Sequence, residues 1–213
     1  MRHIIKGPEC PSLTKWKRQH PGETYHDLCE KNPELRLEIR KFLLKEQHGL
    51  CAFCCDQVVL ESGRNAHLKP QSKYPHESLN WENIVASCPK PDSCDIFQGR
   101  KPLPISPLME DCESKFKFYE TGEIVGLDSD AEETIKNLNL DNSILRRRRS
   151  LAIQALCYEN GIDPLSDIFS SFNDDEKREL IKKLETTDED GNLPAFLPIL
   201  ISIINAEIKI KNE

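Results

Sequence analysis

The chain lacks an apolar run of bilayer length. Its longest, around Phe196 to Ile204, is interrupted by Pro198 and Ser202 and ends at Asn205, which is too short and too broken to span a membrane. The opening Met1-Arg2-His3 has no apolar core of signal-peptide length, so a cytoplasmic location with no membrane association is expected. An excess of positive charge is also missing: the 213 residues carry a formal net charge of −7. That argues against a protein that wraps nucleic acid unaided, because phosphate contacts supply most of such affinity. No internal repeat is visible. What remains is 38% hydrophobic and 31% charged, a balance that suits one moderately large globular unit or two small ones with much exposed helix.

Nine cysteines are present. Without an export signal, metal binding accounts for them better than disulfides do. Cys51 with Cys54 and Cys88 with Cys94 form two pairs tens of residues apart, the pattern of two knuckles closing four thiolates around one structural zinc. Cys55 abuts Cys54 as an alternative donor, although Cys-x-x-Cys already completes the first knuckle. Cys10, Cys29, Cys112 and Cys157 are left over.

Turn signals and periodicity organise the rest. The first 30 residues are rich in proline and polar groups, with Trp16 and Tyr25 as anchors, and read as an arm lying across a neighbouring domain. Asn32-Pro33 is a helix start, and Leu35, Ile39, Phe42 and Leu43 place one apolar face. Gln57 to Leu60 predicts a strand, with Asn65 to Lys69 returning antiparallel to it. A short helix is expected over 95–101, a hairpin from Phe116 to Val125, and helices over 130–160, 174–186 and 194–210. Asp188 to Asn192 is a polar turn. The resulting division is an N-terminal arm and helix for partner docking (1–48), a zinc-bound core (49–110) and a mainly helical region (111–213).

The stretch between the cysteine pairs holds His67 and Asn83, and Asp95 follows the last cysteine. Phosphodiester hydrolysis needs an activated water, stabilisation at phosphorus and help for the leaving oxygen. A histidine can serve the first need and a divalent ion the others. His67 is therefore the candidate general base. Asn83 is expected to hold the loop by bonding backbone groups and to orient His67. Asp95 is the candidate ligand of a catalytic magnesium or manganese ion, since hard cations take oxygen donors. His76, in the intervening loop, is a candidate auxiliary group. The bland alternatives are a surface histidine, a helix-capping asparagine and a helix-dipole acid. Basic clusters at Lys15 to Arg18, Arg36 to Lys45 and Arg146 to Arg149 read either as local positive surface or as solvated helix faces.

The order Cys51-Ala-Phe-Cys54, His67-Leu-Lys-Pro70, Asn83-Ile-Val-Ala-Ser-Cys88 and Cys94-Asp95 resembles the zinc-bearing HNH, or ββα-metal, endonucleases. More narrowly, it is similar to the PtuB-like HNH proteins of retron and Septu anti-phage systems. His3-Ile-Ile-Lys-Gly-Pro, Leu13-Thr-Lys-Trp16, Glu46-Gln47-His-Gly-Leu-Cys51 and Leu138-Asn-Leu140 before Arg146 extend the likeness, which is strong over 1–100 and loose after about 165. The resemblance implies an α+β fold with a zinc-stapled ββα-metal core among helical flanks. It implies a metal-dependent nuclease working with an ABC-type ATPase (PtuA-like) and, in a retron setting, with a reverse transcriptase and its non-coding RNA. DNA is the first expected substrate and RNA, a tRNA included, the second. Two positions depart from the family: Ala66 stands where an acidic residue commonly precedes the histidine, and Asp95 replaces the usual Asn or His. The spacer between Cys88 and Cys94 is also long. Ala66 and the negative charge support a second reading, a catalytically weak zinc-ribbon adaptor or regulatory subunit of the same complex.

Overall fold

Asn32 caps a helix with its side chain, accepting the Leu35 amide at 3.2 Å, and Pro33 occupies the first turn. This helix, α3 (Pro33–Glu46), buries Leu35, Ile39 and Leu43, each contributing about 1.5–3 kcal/mol by leaving water. In the computed structural model, which describes residues 1–162 and 172–210 (backbone alone for 206–210), two helices precede it. They are α1 (Pro11–Gln19) and α2 (Tyr25–Lys31), the latter opened by a reciprocal Thr24–Asp27 capping box. The N-terminal segment expected as an arm is thus helical. Its Leu13, Trp16, Tyr25 and Leu28 share an apolar cluster with α3 and with Leu79, Trp81, Ile84 and Ala86.

The strand pairing differs from expectation. Strand β1 (Arg64–His67) pairs antiparallel with β2 (Ile84–Ser87), placing His67 opposite Ile84. The Gln57–Leu60 run is no strand; Gln57 alone bridges Leu50. The cause is local. Backbone groups here already close the first knuckle, Cys51 N–H to Asp56 O at 2.8 Å and Val58 N–H to Gly49 O at 2.9 Å. The chain then turns so tightly that a Cβ on Gly63 would lie 2.5 Å from Val58.

After β2 comes a short helix, α4 (Cys94–Gln98), shorter than the 95–101 expected. A hairpin of β3 (Phe116–Phe118) and β4 (Ile124–Gly126) follows. Its turn needs glycine, because a Cβ on Gly122 (φ 82°) would sit 2.0 Å from the Arg146 carbonyl oxygen. The helical stretch expected over 130–160 is two helices, α5 (Ser129–Leu138) and α6 (Ser143–Glu159). Asn139 takes a left-handed conformation at φ 49°, which ends α5, and Asn142 caps α6. Helices α7 (Asp174–Leu184) and α8 (Leu197–Ile210) complete the chain. A second apolar cluster joins the knuckle residue Phe53 to Ile124, Leu145, Ile153, Phe196 and Ile199. The described residues thus form a mixed α and β structure of eight α-helices and two two-stranded sheets. None of their helices is long and apolar enough to cross a membrane.

Candidate metal centre and the His67 site

The two knuckles bring Cys51, Cys54, Cys88 and Cys94 together. All four are buried, and their sulfurs lie within 4.8 Å of one another. Cys51–Cys94 and Cys54–Cys88 are each 3.8 Å apart, and Cys88–Cys94 is 3.6 Å. A tetrahedron with zinc–sulfur bonds of about 2.3 Å has edges of about 3.8 Å, so the spacing suits zinc. Cys94 adopts φ 59°, a left-handed conformation that a non-glycine residue takes only under strong constraint, and from it Sγ reaches the cluster across the five-residue spacer.

The electrostatics call for a cation. Burial opposes a thiolate at Cys51, yet hydrogen bonds with Cys54, Cys88 and Cys94 hold its pKa well below the usual thiol range. Hydrogen bonds with Cys51 and Cys88 push Cys54 well up, and those with Cys51, Cys54 and Cys88 do the same to Cys94. Thiolates packed this closely repel one another, and a metal ion is what would let the four share the site. Cys55 is buried beside them but lies outside the group, and burial pushes its thiol pKa up.

Around this centre sits an ion-pair clamp that sequence inspection did not single out. Asp56 is buried and binds Arg148 of α6 through both oxygens, at 2.7 and 3.0 Å, and also Lys90 of the second knuckle loop. One carboxylate thus ties both knuckles to α6. Three members of the Arg146–Arg149 cluster are therefore engaged within the protein, although only Arg149 is buried. Arg146 pairs with Asp141 and Glu123, and buried Arg149 donates to the carbonyls of Gly122 and Leu140. Arg147 is exposed, as is Arg148 outside its carboxylate contact. Arg40 is likewise buried, donating to Asn65 and to Leu60 O.

His67 ends β1 and is 8% exposed. Its Nε2 lies 2.9 Å from the Ser78 carbonyl oxygen, so the ring carries its proton there and leaves Nδ1 with the lone pair. The Gln71 side-chain amide meets Nδ1 at 3.1 Å. Tyr25 meets the ring edge-on with centroids 4.8 Å apart. Burial pushes the His67 pKa down to about 4, partly offset by the Ser78 hydrogen bond. The imidazole is therefore neutral at pH 7.

Asn83 is buried just ahead of β2. Its Oδ1 accepts the Lys69 amide at 2.7 Å, and its Nδ2 donates to Lys69 O at 3.3 Å and Glu77 O at 3.0 Å. It closes the 69–77 loop and shares no hydrogen bond with the imidazole among the described residues; the ring is held by the next carbonyl, Ser78 O. His76 is exposed in a 3₁₀ turn, Pro75–Glu77, and lines a cleft with Lys17, His20 and Thr24. His76 and His67 share no hydrogen bond among the described residues.

Asp95 lies in the first turn of α4, as the sequence predicts, but its partner is Arg64: Nε donates to Oδ2 at 2.9 Å. Arg64 is at the opposite end of β1 from His67, and Asp95 shares no hydrogen bond with His67 among the described residues. Oδ1 is buried with no hydrogen-bond partner, an orphan acceptor that could serve a cation. A resident magnesium or manganese site nevertheless does not follow from these side chains. Ala66 supplies no donor, Oδ2 is engaged, and the four cysteines are the one group of three or more ligand side chains among the described residues.

No protein-family model matches the chain, and no curated protein matches it.

Proposed function

We propose that the chain is an HNH-type, ββα-metal endonuclease that hydrolyses phosphodiester bonds of nucleic acid. The reading extends the resemblance at Cys51, Cys54, His67, Asn83, Cys88 and Cys94. The observation that carries it is His67: a neutral imidazole with one nitrogen tied to a backbone carbonyl and the other holding a lone pair. A general base needs that state. Nδ1 takes the proton of a water as the water attacks phosphorus, the P–O bond to the leaving sugar oxygen breaks, and that oxygen takes a proton from solvent. The Ser78 carbonyl stabilises the imidazolium through Nε2–H until the ring, too, gives its proton to solvent. Gln71 must release Nδ1 for the water to enter. The four cysteines hold structural zinc, and Asn83 fixes the loop that carries Gln71. In this reading the enzyme works in the cytoplasm as the effector of an anti-phage system. An ABC-type ATPase, with or without a reverse transcriptase and its non-coding RNA, supplies the cationic grip that a chain of net charge −7 lacks.

A second reading has a specific observation behind it: Ala66 and the Arg64–Asp95 pair occupy the place where a catalytic cation is expected. On that reading the chain is a zinc-bearing adaptor or regulatory subunit. One experiment separates the two. The chain, purified with its ATPase, is incubated with DNA or tRNA in Mg²⁺ or Mn²⁺, beside His67→Ala. The nuclease reading expects cleavage, reduced about 10²–10⁴-fold by the substitution. Wild-type protein inert with every substrate and cation, while still binding the ATPase, would leave the adaptor; cleavage undiminished in His67→Ala would remove the assigned base.

A further inference from the structure

We infer that Tyr25, on the N-terminal helix α2, is a positioning residue for His67, so that the helical layer outside the zinc core sets the orientation and tautomer of the base. The inference rests on the reading of His67 as general base and names what controls it. Tyr25 reaches the imidazole by three routes. Its ring packs edge-on against the His67 ring at 4.8 Å between centroids. Its backbone N–H donates to Ser78 Oγ at 3.0 Å, and the carbonyl of the same serine holds His67 Nε2 at 2.9 Å. Its hydroxyl accepts the Asn65 side-chain amide at 2.8 Å, two residues before His67 on the same face of β1.

The contacts form a closed frame. Ser78 is itself fixed, its hydroxyl donating to Pro75 O at 2.6 Å, and Asn65 is gripped by Arg40 and by the Arg36 carbonyl of α3. The ring therefore cannot turn about χ2 without losing the Ser78 bond, nor tilt without displacing Tyr25. Removing the phenol would open the side of the ring that α2 covers, admit water and free both tautomers. Of the groups contacting the ring, Ser78 and Gln71 are neutral, and burial pushes the Tyr25 hydroxyl pKa well up. Cys29, beside that hydroxyl, is also raised by burial. Among the described residues no charged side chain hydrogen-bonds the imidazole.

Tyr25→Ala and Tyr25→Phe test this in the full chain, after far-UV circular dichroism and zinc content show each variant folded. Ring-nitrogen NMR reads His67 directly, whether or not the protein cuts nucleic acid. In the wild type the Nε2–H tautomer should persist to about pH 4. In Tyr25→Ala the ring should titrate near the ordinary value of about 6.5 as a tautomer mixture. Cleavage should fall roughly a hundredfold, with the acid limb of the pH–rate profile moved up by about 2.5 units. Tyr25→Phe, which keeps the ring and the backbone N–H and loses only the Asn65 contact, should stay close to the wild-type signals. Should Tyr25→Ala not fold, Ser78→Ala removes the Tyr25 N–H acceptor but keeps the carbonyl, and a smaller shift in the same direction is expected. A folded variant whose His67 keeps its tautomer and titration overturns the positioning role. Absence of cleavage by the wild type with these NMR changes intact instead removes the nuclease reading alone.

Discussion

At His67 a single buried imidazole ties chemistry to stability. Its pKa is about 4 in the folded chain, lowered first by burial, against about 6.5 when unfolded. A depressed folded value means that the unfolded state binds the proton first. The contribution is complete above about pH 6.5 and is lost as the pH falls through 4. The span corresponds to about 3 kcal/mol. Thiolates in the metal centre also bind protons in acid, so the wild-type curve alone would mix two effects. Denaturant midpoints of wild type and His67→Gln should converge between pH 7 and pH 4, because the wild type alone loses this term. Parallel curves over that range would mean that His67 is solvated in the folded state.

At the scale of elements, the 69–83 excursion between β1 and β2 depends on one side chain. Asn83 satisfies two backbone groups of Lys69 and the Glu77 carbonyl, and Ser78, which anchors His67, is the residue after Glu77. Asn83→Ala should cost roughly 2–4 kcal/mol by leaving part-buried donors and acceptors unpaired. Amide exchange should rise at Lys69 and through 75–79 while α5 and α6 stay protected; uniform exchange would place the loss in the global fold instead. Elements defined by local signals were legible in the sequence. The Asn32-Pro33 start of α3, the hairpin at Gly122 and the amphipathic α7 are examples, because caps and turn residues act within a few positions. Helices α1 and α2 were hidden by polar and proline-rich composition, since Leu13, Trp16, Tyr25 and Leu28 show an apolar side only once α3 and β2 are beside them. The partner of β1 was also unreadable. The Val58–Leu60 run has strand composition, but the knuckle takes its backbone hydrogen bonds, so β2 pairs with β1 from beyond the loop. The same limit applies to the site. Four cysteines announce themselves by spacing, whereas Tyr25, 42 positions before His67 in the chain, is joined to it through Ser78, whose hydroxyl accepts the Tyr25 N–H and whose carbonyl holds the ring, a link that no motif encodes.

For the whole molecule, the four-cysteine cluster is where several elements meet. Cys51 and Cys54 follow α3, Cys88 follows β2 and Cys94 begins α4. Arg148 brings α6 to the same point through Asp56, and Phe53, between the first two ligands, packs in the cluster that includes Phe196 and Ile199 next to and within α8. The protein bound to zinc should contain one ion per chain. Stripping it with a chelator leaves four buried sulfurs with no ion to hold them together, and thiolates that take up protons no longer face Lys90, Arg148 and Arg149. Chelation should therefore abolish exchange protection at 51–56 and 84–98 and weaken it along α6. Over α1 to α3, whose apolar cluster contains no ligand cysteine, protection should fall less. Cys88→Ser should reproduce that pattern without chelator, whereas Cys112→Ser, a buried cysteine outside the tetrad, should retain the ion. Exchange that stays unchanged in the stripped protein would mean that side-chain packing alone holds the knuckles.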